Sequence, residues 1–490
     1  MTPIRKLFIA NRAEIALRIA RTARRMGIET VVPWHQQDQA GPALREADHT
    51  VEVFGMPPVA AWLDMKAMVR AAIDSGCDAV HPGYGFLSEN AAFAQQVADA
   101  GLVFVGPPAQ VIELMGDKIT ARRFAVSQGM PVTPSADEAE DPATFAERAR
   151  AVGFPLLVKG AAGGGGKGMQ IARQPEELAN AISVARAESQ RYFGDGRLFA
   201  ERFVEQPRHI EVQVFGDSRG HVIHLGEREC SIQRRFQKLI EESPAPALPA
   251  GLRDRICNAA VKLAAAAGYV NAGTVECIVS PDGEFFFLEM NTRLQVEHPV
   301  TEMVTGLDLV ELQLRVAQGE ALPITQDDVH FSGNAIECRI LAENADAGFV
   351  PDTGKVLLLH APSGPGVRFD CGVTQGAAVT ADFDSMLAKL VTHGANRNLA
   401  ISRMTSALAD VSMLGVTLNN DFLSRVLQHP AFALGETDTG FLERHKAALA
   451  PAPLTPAERE LLLAVAASAA PDITATRIPE PYASMGAWRN

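Results

Sequence analysis

The sequence predicts a mixed α/β and α+β protein: an open parallel sheet first, a middle region around a glycine-rich loop, and a strand-rich C-terminal region. Three observations carry this. Short apolar runs alternate with helix-like segments through the N-terminal part, the pattern of an open parallel sheet. The run Gly163 to Gly166 sits between two apolar, strand-like flanks. Beyond His330, short runs with the composition of strands follow one another closely.

The elements follow in order. Lys6 to Ala10 is a short strand, and Asn11 is expected to cap the helix that carries Ile15, Leu17, Ile19 and Ala20. Gly27 ends that helix and Glu29 to Pro33 is the next strand. Ala79-Val80, a helix from Asn90 to Ala100, and Leu102 to Val105 continue the alternation. His81 to Glu89 is a glycine-rich turn between strand and helix, suited to lining a site. No GxGxxG follows the first strand, so the sheet alone says little about dinucleotides. Phe154 to Lys159 and Met169 to Ala172 are strands on either side of the glycine run. Such a loop can turn backbone N–H groups toward an anion without steric cost, which suits a lid over phosphates. It is not a Walker A motif, because no GK[ST] follows at the required spacing.

Arg197 to Val204 and Pro207 to Phe215 are strands, the second with His209, Glu211 and Gln213 on one parity. Glu227 to Lys238 is dense in polar and basic residues, and by itself reads as an exposed charged loop or as part of a site. Leu252 to Gly268 and Leu307 to Gly319 are helices. Ala335 to Ile340, Lys355 to His360, Val367 to Phe369, Ala377 to Thr380 and Lys389 to Thr392 are strands, closed by helices. The tail beyond 450 holds one helix from Pro456 to Ala467.

At 490 residues the chain exceeds one core, so two to four domains are expected. The boundaries read as 1–114, 115–330 with a lid over about 133–203, 331–447, and a tail over 448–490. The 47% apolar and 21% charged content is that of a soluble enzyme, and no run of eighteen apolar residues predicts a membrane span. The N-terminus lacks the apolar core of a signal peptide. Cys77, Cys230, Cys257, Cys277, Cys338 and Cys371 show no metal-like spacing and are expected to be reduced, which points to the cytoplasm. A net charge of −13 argues against non-specific nucleic-acid binding, although a local basic cluster can still hold an anion.

The most informative stretch is Glu289-Met-Asn-Thr-Arg-Leu-Gln-Val-Glu-His298. If extended, Glu289, Asn291, Arg293, Gln295 and Glu297 share one face. Burying that set costs several kcal/mol per group unless the groups are paired or bind ions. A site for a metal ion and an anion is the better reading than a solvated face. With a two-residue Asp282-Gly283 loop, Glu276 falls opposite Glu289. Opposed carboxylates need positive charge between them, and Glu276, Glu289 and Asn291 are oxygen ligands suited to Mg²⁺ or Mn²⁺.

Taken together, these residues resemble the biotin carboxylases over about residues 4–445. The carriers are Ile9-Ala-Asn-Arg12, His81 to Asn90, the 159–169 lid, Pro207 to Glu211, Gln233 to Lys238, and Glu289 to Glu302. The resemblance implies an ATP-grasp fold and ATP-dependent carboxylation of biotin by bicarbonate, the first half-reaction of an acyl-CoA (acetyl-CoA-type) carboxylase. It implies that ATP is held by Lys118, Lys159, Gly165, Gly166, His209, Gln233 and the backbone from Glu201 to Val204. It implies Glu276, Glu289 and Asn291 as metal ligands. Lys238, Arg293, Gln295 and Val296 would bind bicarbonate, Glu297 would take its proton, and Arg339 would face the biotin ureido group.

Two positions depart from the family pattern. Ala13 stands where glycine is usual, and Phe236 where a histidine meets the nucleotide. The partners implied are a biotin carboxyl carrier, a carboxyltransferase and a second copy in a homodimer, with no nucleic acid and no membrane. Biotin is expected to arrive in trans. Met65-Lys-Ala-Met68 matches the attachment signal by coincidence, and the end at Ser484 to Asn490 resembles a junction toward a carrier domain. Two other readings are open. An ATP-grasp ligase acting on an amine is disfavoured by Lys238, Arg293, Glu297 and Arg339. A non-catalytic nucleotide-binding scaffold is disfavoured by the retained metal and bicarbonate positions.

Overall fold

The computed structural model describes residues 3–138, 140–161 and 168–469, apart from the side chains of Phe193 and Ala469. Gly165 and Gly166, with the rest of their glycine run, and Ser484 to Asn490 lie outside the described residues. The chain forms two units, Met1–Leu449 and Ala450–Asn490. The described part of the second holds the helix Pro456–Ala469.

The first five strands are β1 (Lys6–Ile9), β2 (Glu29–Trp34), β3 (His49–Glu52), β4 (Ala79–His81) and β5 (Val103–Phe104). They form one sheet in the order β3-β2-β1-β4-β5, with every neighbour parallel. Successive side chains point to opposite faces, so Leu7 and Ile9 enter one hydrophobic core and Phe8 and Ala10 another. Both faces are covered, as a parallel sheet requires. Asn11 does not cap the helix Ala13–Arg25; Arg12 takes that position without a side-chain bond. The Asn11 amide instead donates to the carbonyls of Pro82 (2.7 Å) and Tyr84 (2.8 Å), tying the first βα turn to the glycine-rich one. Met65 and Lys66 begin the helix Met65–Asp74, capped by Asp64.

The next four strands, β6 (Ser135–Asp137), β7 (Leu156–Gly160), β8 (Met169–Ala172) and β9 (Leu198–Arg202), form an antiparallel sheet in the order β6-β9-β7-β8. The helices Phe145–Val152 and Leu178–Phe193 pack on it around Leu156, Val158, Leu178 and Leu198.

The largest sheet has eight strands. It contains β10 (Arg208–Gly216), β11 (Val222–Arg234), β12 (Gln237–Ser243), β13 (Asn271–Val279), β14 (Phe285–Asn291), β15 (Asn334–Leu341) and the strands Val367–Cys371 and Met386–Gly394. The sheet runs β14-β13-β10-β11-β12-β15, then Met386–Gly394, then Val367–Cys371 at the edge. The helix Ala250–Ala266 covers one region through Ile256, Ala260 and Leu263, and Arg397–Asp410 covers another through Ala400, Met404 and Leu408.

Two expectations change here, and one open alternative is resolved. The stretch from Glu289 is extended only to Asn291; it then loops and enters a helix, His298–Thr305, with Glu297 at its N-cap and Pro299 in its first turn. Proline there is preorganised for a helix start and loses no needed donor. Glu227 to Lys238 is not an exposed loop but the hairpin β11–β12, with Glu227 to Gln233 buried. The turn between β13 and β14 has three residues, Pro281-Asp282-Gly283, inside the bond from Ser280 N–H to the Glu284 carbonyl at 2.8 Å.

Candidate active site

One rung of the large sheet sets the chemistry. Reading across β14, β13, β10 and β11, the opposed residues are Glu289, Glu276, Glu211 and Arg228. Residues in register share a face, so three carboxylates line up side by side. Their mutual repulsion is met by cations from elsewhere. Lys118 Nζ lies 2.6 Å from Glu289. Lys238 Nζ bonds Glu211, Glu276 (2.8 Å) and Glu297 (2.7 Å), and so joins three carboxylates. Arg228 pairs with Glu211, and His209 Nε2 lies 2.8 Å from Glu276. The amides of Asn291 and Gln295 each donate to Glu276 at 2.8 Å.

The loop after Asn291 closes the site. Arg293 donates to Gln295 (2.8 Å), Asn291 (3.0 Å) and Glu89 (2.9 Å), the last residue of the glycine-rich turn. Glu297, fully buried, accepts from Arg339 at 3.0 Å as well as from Lys238. Arg339 also donates to Glu241 at 2.6 Å. Opposite these groups, Lys159 pairs with Glu201, which Arg122 and Thr133 also hold.

The protonation of these groups follows from burial and partners. Burial would raise the Glu297 pKa, but Lys238, Arg339 and Arg228 outweigh it and hold the group well below the usual carboxylate range. Lys238 is held well above its ordinary value: its burial is overcome by Glu211, Glu276 and Glu297. Lys118 and Lys159 diverge. For Lys118 burial is outweighed by Glu289 and the pKa rises. For Lys159 burial wins, helped by nearby Lys118, and the pKa falls.

These groups line one cavity of about 750 Å³. Lys118, Lys159, Glu201, Val204, His209, Gln233, Lys238, Glu276, Glu289, Asn291, Arg293, Gln295, Val296 and Arg339 all reach it. Glu297 stands behind the wall, against Lys238 and Arg339. Phe236 also lines the cavity, from the tip of the β11–β12 turn. Glu89, in the turn expected to line a site, holds Arg293, while Glu211 and Glu241, not among the site residues expected from the sequence, hold Lys238 and Arg339. The shared parity of Glu211 with His209 was the available clue. Tyr84 and Phe86, from the glycine-rich turn expected to line a site, form another wall with Arg12 and Phe383, which were not expected there.

Comparison with known proteins identifies the family. Residues 3–112 match the family described as "Biotin carboxylase, N-terminal domain", residues 117–325 "Carbamoyl-phosphate synthase L chain, ATP binding domain", and residues 337–444 "Biotin carboxylase C-terminal domain". The chain is 45% identical over 450 residues to biotin carboxylase 1 of Bacillus subtilis, covering 90% of this chain and 99% of that one. It is 46% identical over 449 residues to the mitochondrial methylcrotonoyl-CoA carboxylase subunit alpha of Oryza sativa, covering 90% of this chain but 60% of that longer subunit. Among solved structures, the biotin carboxylase domain dimer of Hydrogenobacter thermophilus 2-oxoglutarate carboxylase superposes with a TM-score of 0.90 at 40% identity, over 92% of this chain and 100% of that one. With its parallel N-terminal sheet, its antiparallel sheets and this cavity, the chain belongs to the biotin carboxylase family of ATP-dependent ligases, with the ATP-grasp fold.

Proposed function

We propose that this chain carboxylates carrier-bound biotin with bicarbonate at the expense of ATP, through carboxyphosphate. The observation that carries the reading is Glu297, a buried carboxylate clasped by Lys238 and Arg339 beside the cationic wall of Arg293. In that clasp Glu297 is a weak base. A bicarbonate that draws Lys238 toward itself weakens the clasp, raises the Glu297 pKa and lets it accept the bicarbonate proton. The deprotonated anion is the better nucleophile toward the γ-phosphate of ATP.

Lys118 and Lys159 would take the phosphates. Each is paired with a carboxylate that a polyphosphate could replace. Glu276, Glu289 and the amide oxygen of Asn291 form a hard, all-oxygen donor set, which fits Mg²⁺ or Mn²⁺. When bound, that ion supplies charge neutralisation for the transferred phosphoryl group. Arg339 would stabilise the ureido oxygen as biotin loses its proton. Support for these ligands comes from the Hydrogenobacter domain, which is described in complex with MgADP, ADP and bicarbonate.

We assign the roles to three segments, 1–114, 115–330 and 331–447, with a tail beyond. The reading extends to a homodimer working with a biotin carboxyl carrier and a carboxyltransferase in the cytoplasm, on an acyl-CoA acceptor such as acetyl-CoA. Likeness to the methylcrotonoyl-CoA carboxylase subunit supports an acyl-CoA, and likeness to a dimeric domain supports the dimer. The test is ATP turnover with bicarbonate, with and without biotin or biotinylated carrier. ATP hydrolysis indifferent to both would sink the reading.

A further inference from the structure

Lys389 is fully buried on the strand Met386–Gly394, outside the set of residues discussed above. It stands opposite Arg339 on one neighbouring strand and Asp370 on the other, so all three share a face. Its ammonium donates to the backbone carbonyl of Val296 at 2.9 Å. It lies 3.3 Å from a carboxylate oxygen of Glu14 on the first helix, and 5.7 Å from the centroid of the Tyr84 ring.

The Val296 carbonyl matters because of where it sits. Residues 292–297 belong to no helix or strand, so no regular ladder fixes their backbone. Side chains do that instead. The Leu294 carbonyl accepts from Arg293 at 3.3 Å, the Gln295 carbonyl is bonded by the His298 ring at 2.8 Å, and the Val296 carbonyl takes Lys389. At the start of the loop the Thr292 N–H is held by Glu89 at 3.2 Å; on the carbonyl side, Lys389 is the pin that comes from outside the local segment. Glu297, the next residue, then starts a helix.

We propose that Lys389 is a positioning residue for the anion pocket: it anchors the Val296 peptide and thereby aims Gln295 and Glu297 at the bound anion, without touching that anion itself. A hydrogen bond from a charged donor is among the stronger ones, and in a buried site it resists exchange with water. A small misplacement of reacting groups is costly to catalysis. The proposal rests on bicarbonate being the anion, and the test below separates the two.

The test compares Glu14→Gln with Glu14→Gln/Lys389→Met. The double variant neutralises both members of the Lys389–Glu14 pair at nearly constant volume, so Glu14 is not left as a lone carboxylate. The single variant keeps the bond to Val296. The double variant is expected to raise KM for bicarbonate by about tenfold or more, with KM for ATP within about twofold of wild type. The single variant is expected to keep the wild-type bicarbonate KM. A wild-type bicarbonate KM in the double variant, or equal rises in both KM values, would overturn the proposal. Hydrogen exchange of the amides from Leu294 to His298 supplies a readout independent of substrate. Faster exchange there in the double variant alone supports the anchor even if bicarbonate proves not to be the substrate. Unchanged exchange refutes it.

Discussion

Glu276 faces Glu289 on the adjacent strand because of a bulge, not because of a tight turn. The turn is one residue longer than a two-residue hairpin, so Cys277 pairs with Phe287, and the extra residue Leu288 then shifts the register back. A bulge re-aims the side chains that follow it. Without it Glu276 would pair with Leu288, and Glu289 would turn to the other face. The bulge therefore places the two carboxylates where Lys118 and Lys238 can hold them.

Glu297→Gln should abolish most carboxylation while nucleotide binding survives. The amide keeps the shape of the carboxylate but cannot take a proton, and losing a positioned base costs about 10²–10⁴-fold in rate. Steady-state kinetics with ADP calorimetry checks both halves. Turnover near the wild-type rate would remove Glu297 from its role.

Phe236→His should tighten nucleotide binding. Arg235 and Phe236 form the two-residue turn between β11 and β12, with φ of +49° and +66°. Histidine tolerates that left-handed backbone better than a bulky aromatic does. At 44% exposure beside the cavity, the ring is free to be replaced by a donor. One added hydrogen bond is worth about 0.5–1.5 kcal/mol, or up to roughly tenfold in Kd. Calorimetry of ADP binding to both forms decides; an equal or weaker affinity means the pocket has packed around the phenyl ring.

Ala13→Gly should stabilise the fold modestly. Ala13 sits at φ +55°, where a Cβ costs about 1–2 kcal/mol, while the added freedom of the unfolded glycine takes back about 0.4–1 kcal/mol. The reciprocal change, Gly372→Ala, should destabilise, because its new Cβ would lie 2.8 Å from that of Ala13 and 2.7 Å from the Glu14 nitrogen. Urea denaturation of the two variants should move in opposite directions. A destabilised Ala13→Gly would show that the methyl packs better than it strains.

Glu14 should make stability depend on pH. Burial, opposed by Lys389, lifts its pKa from 4.5 to about 7, with Asp370 and Arg368 the other charges facing it. The folded state therefore favours the protonated acid. Its contribution is full below pH 4.5 and is lost as pH rises to about 7, a change on the order of 3 kcal/mol. Glu14→Gln should flatten that slope. Denaturation at several pH values in both proteins tests this, and parallel curves would mean that Glu14 ionises normally.

Much of the site was readable in the sequence because its chemistry is costly. A stretch that packs Glu289, Asn291, Arg293, Gln295 and Glu297 into a few residues has to bind ions or pair its charges. The glycine-rich turn from His81 to Glu89 and the apolar strands β7 and β8 were legible for a local reason: they depend on neighbours in the chain. The parity argument reached the correct face for Glu289 and Asn291, then failed at Thr292, where the strand stops. Nothing in a period-two count reveals that end, because the loop is pinned by His298 at the end of the stretch and by the distant Glu89 and Lys389.

The sequence by itself determined the α/β start, the strand-rich end, the family resemblance and many of the polar residues that reach the cavity. Those follow from residue type and short-range spacing. The tertiary structure alone decided that Glu211, Lys238, Glu297 and Arg339 meet. It also buried Glu227 to Gln233 in a hairpin and brought Lys389 beneath Val296. The physical reason is that a buried charge is stable only beside an opposite one, and which opposite charge it finds depends on strand register and sheet order, set by packing across the whole chain.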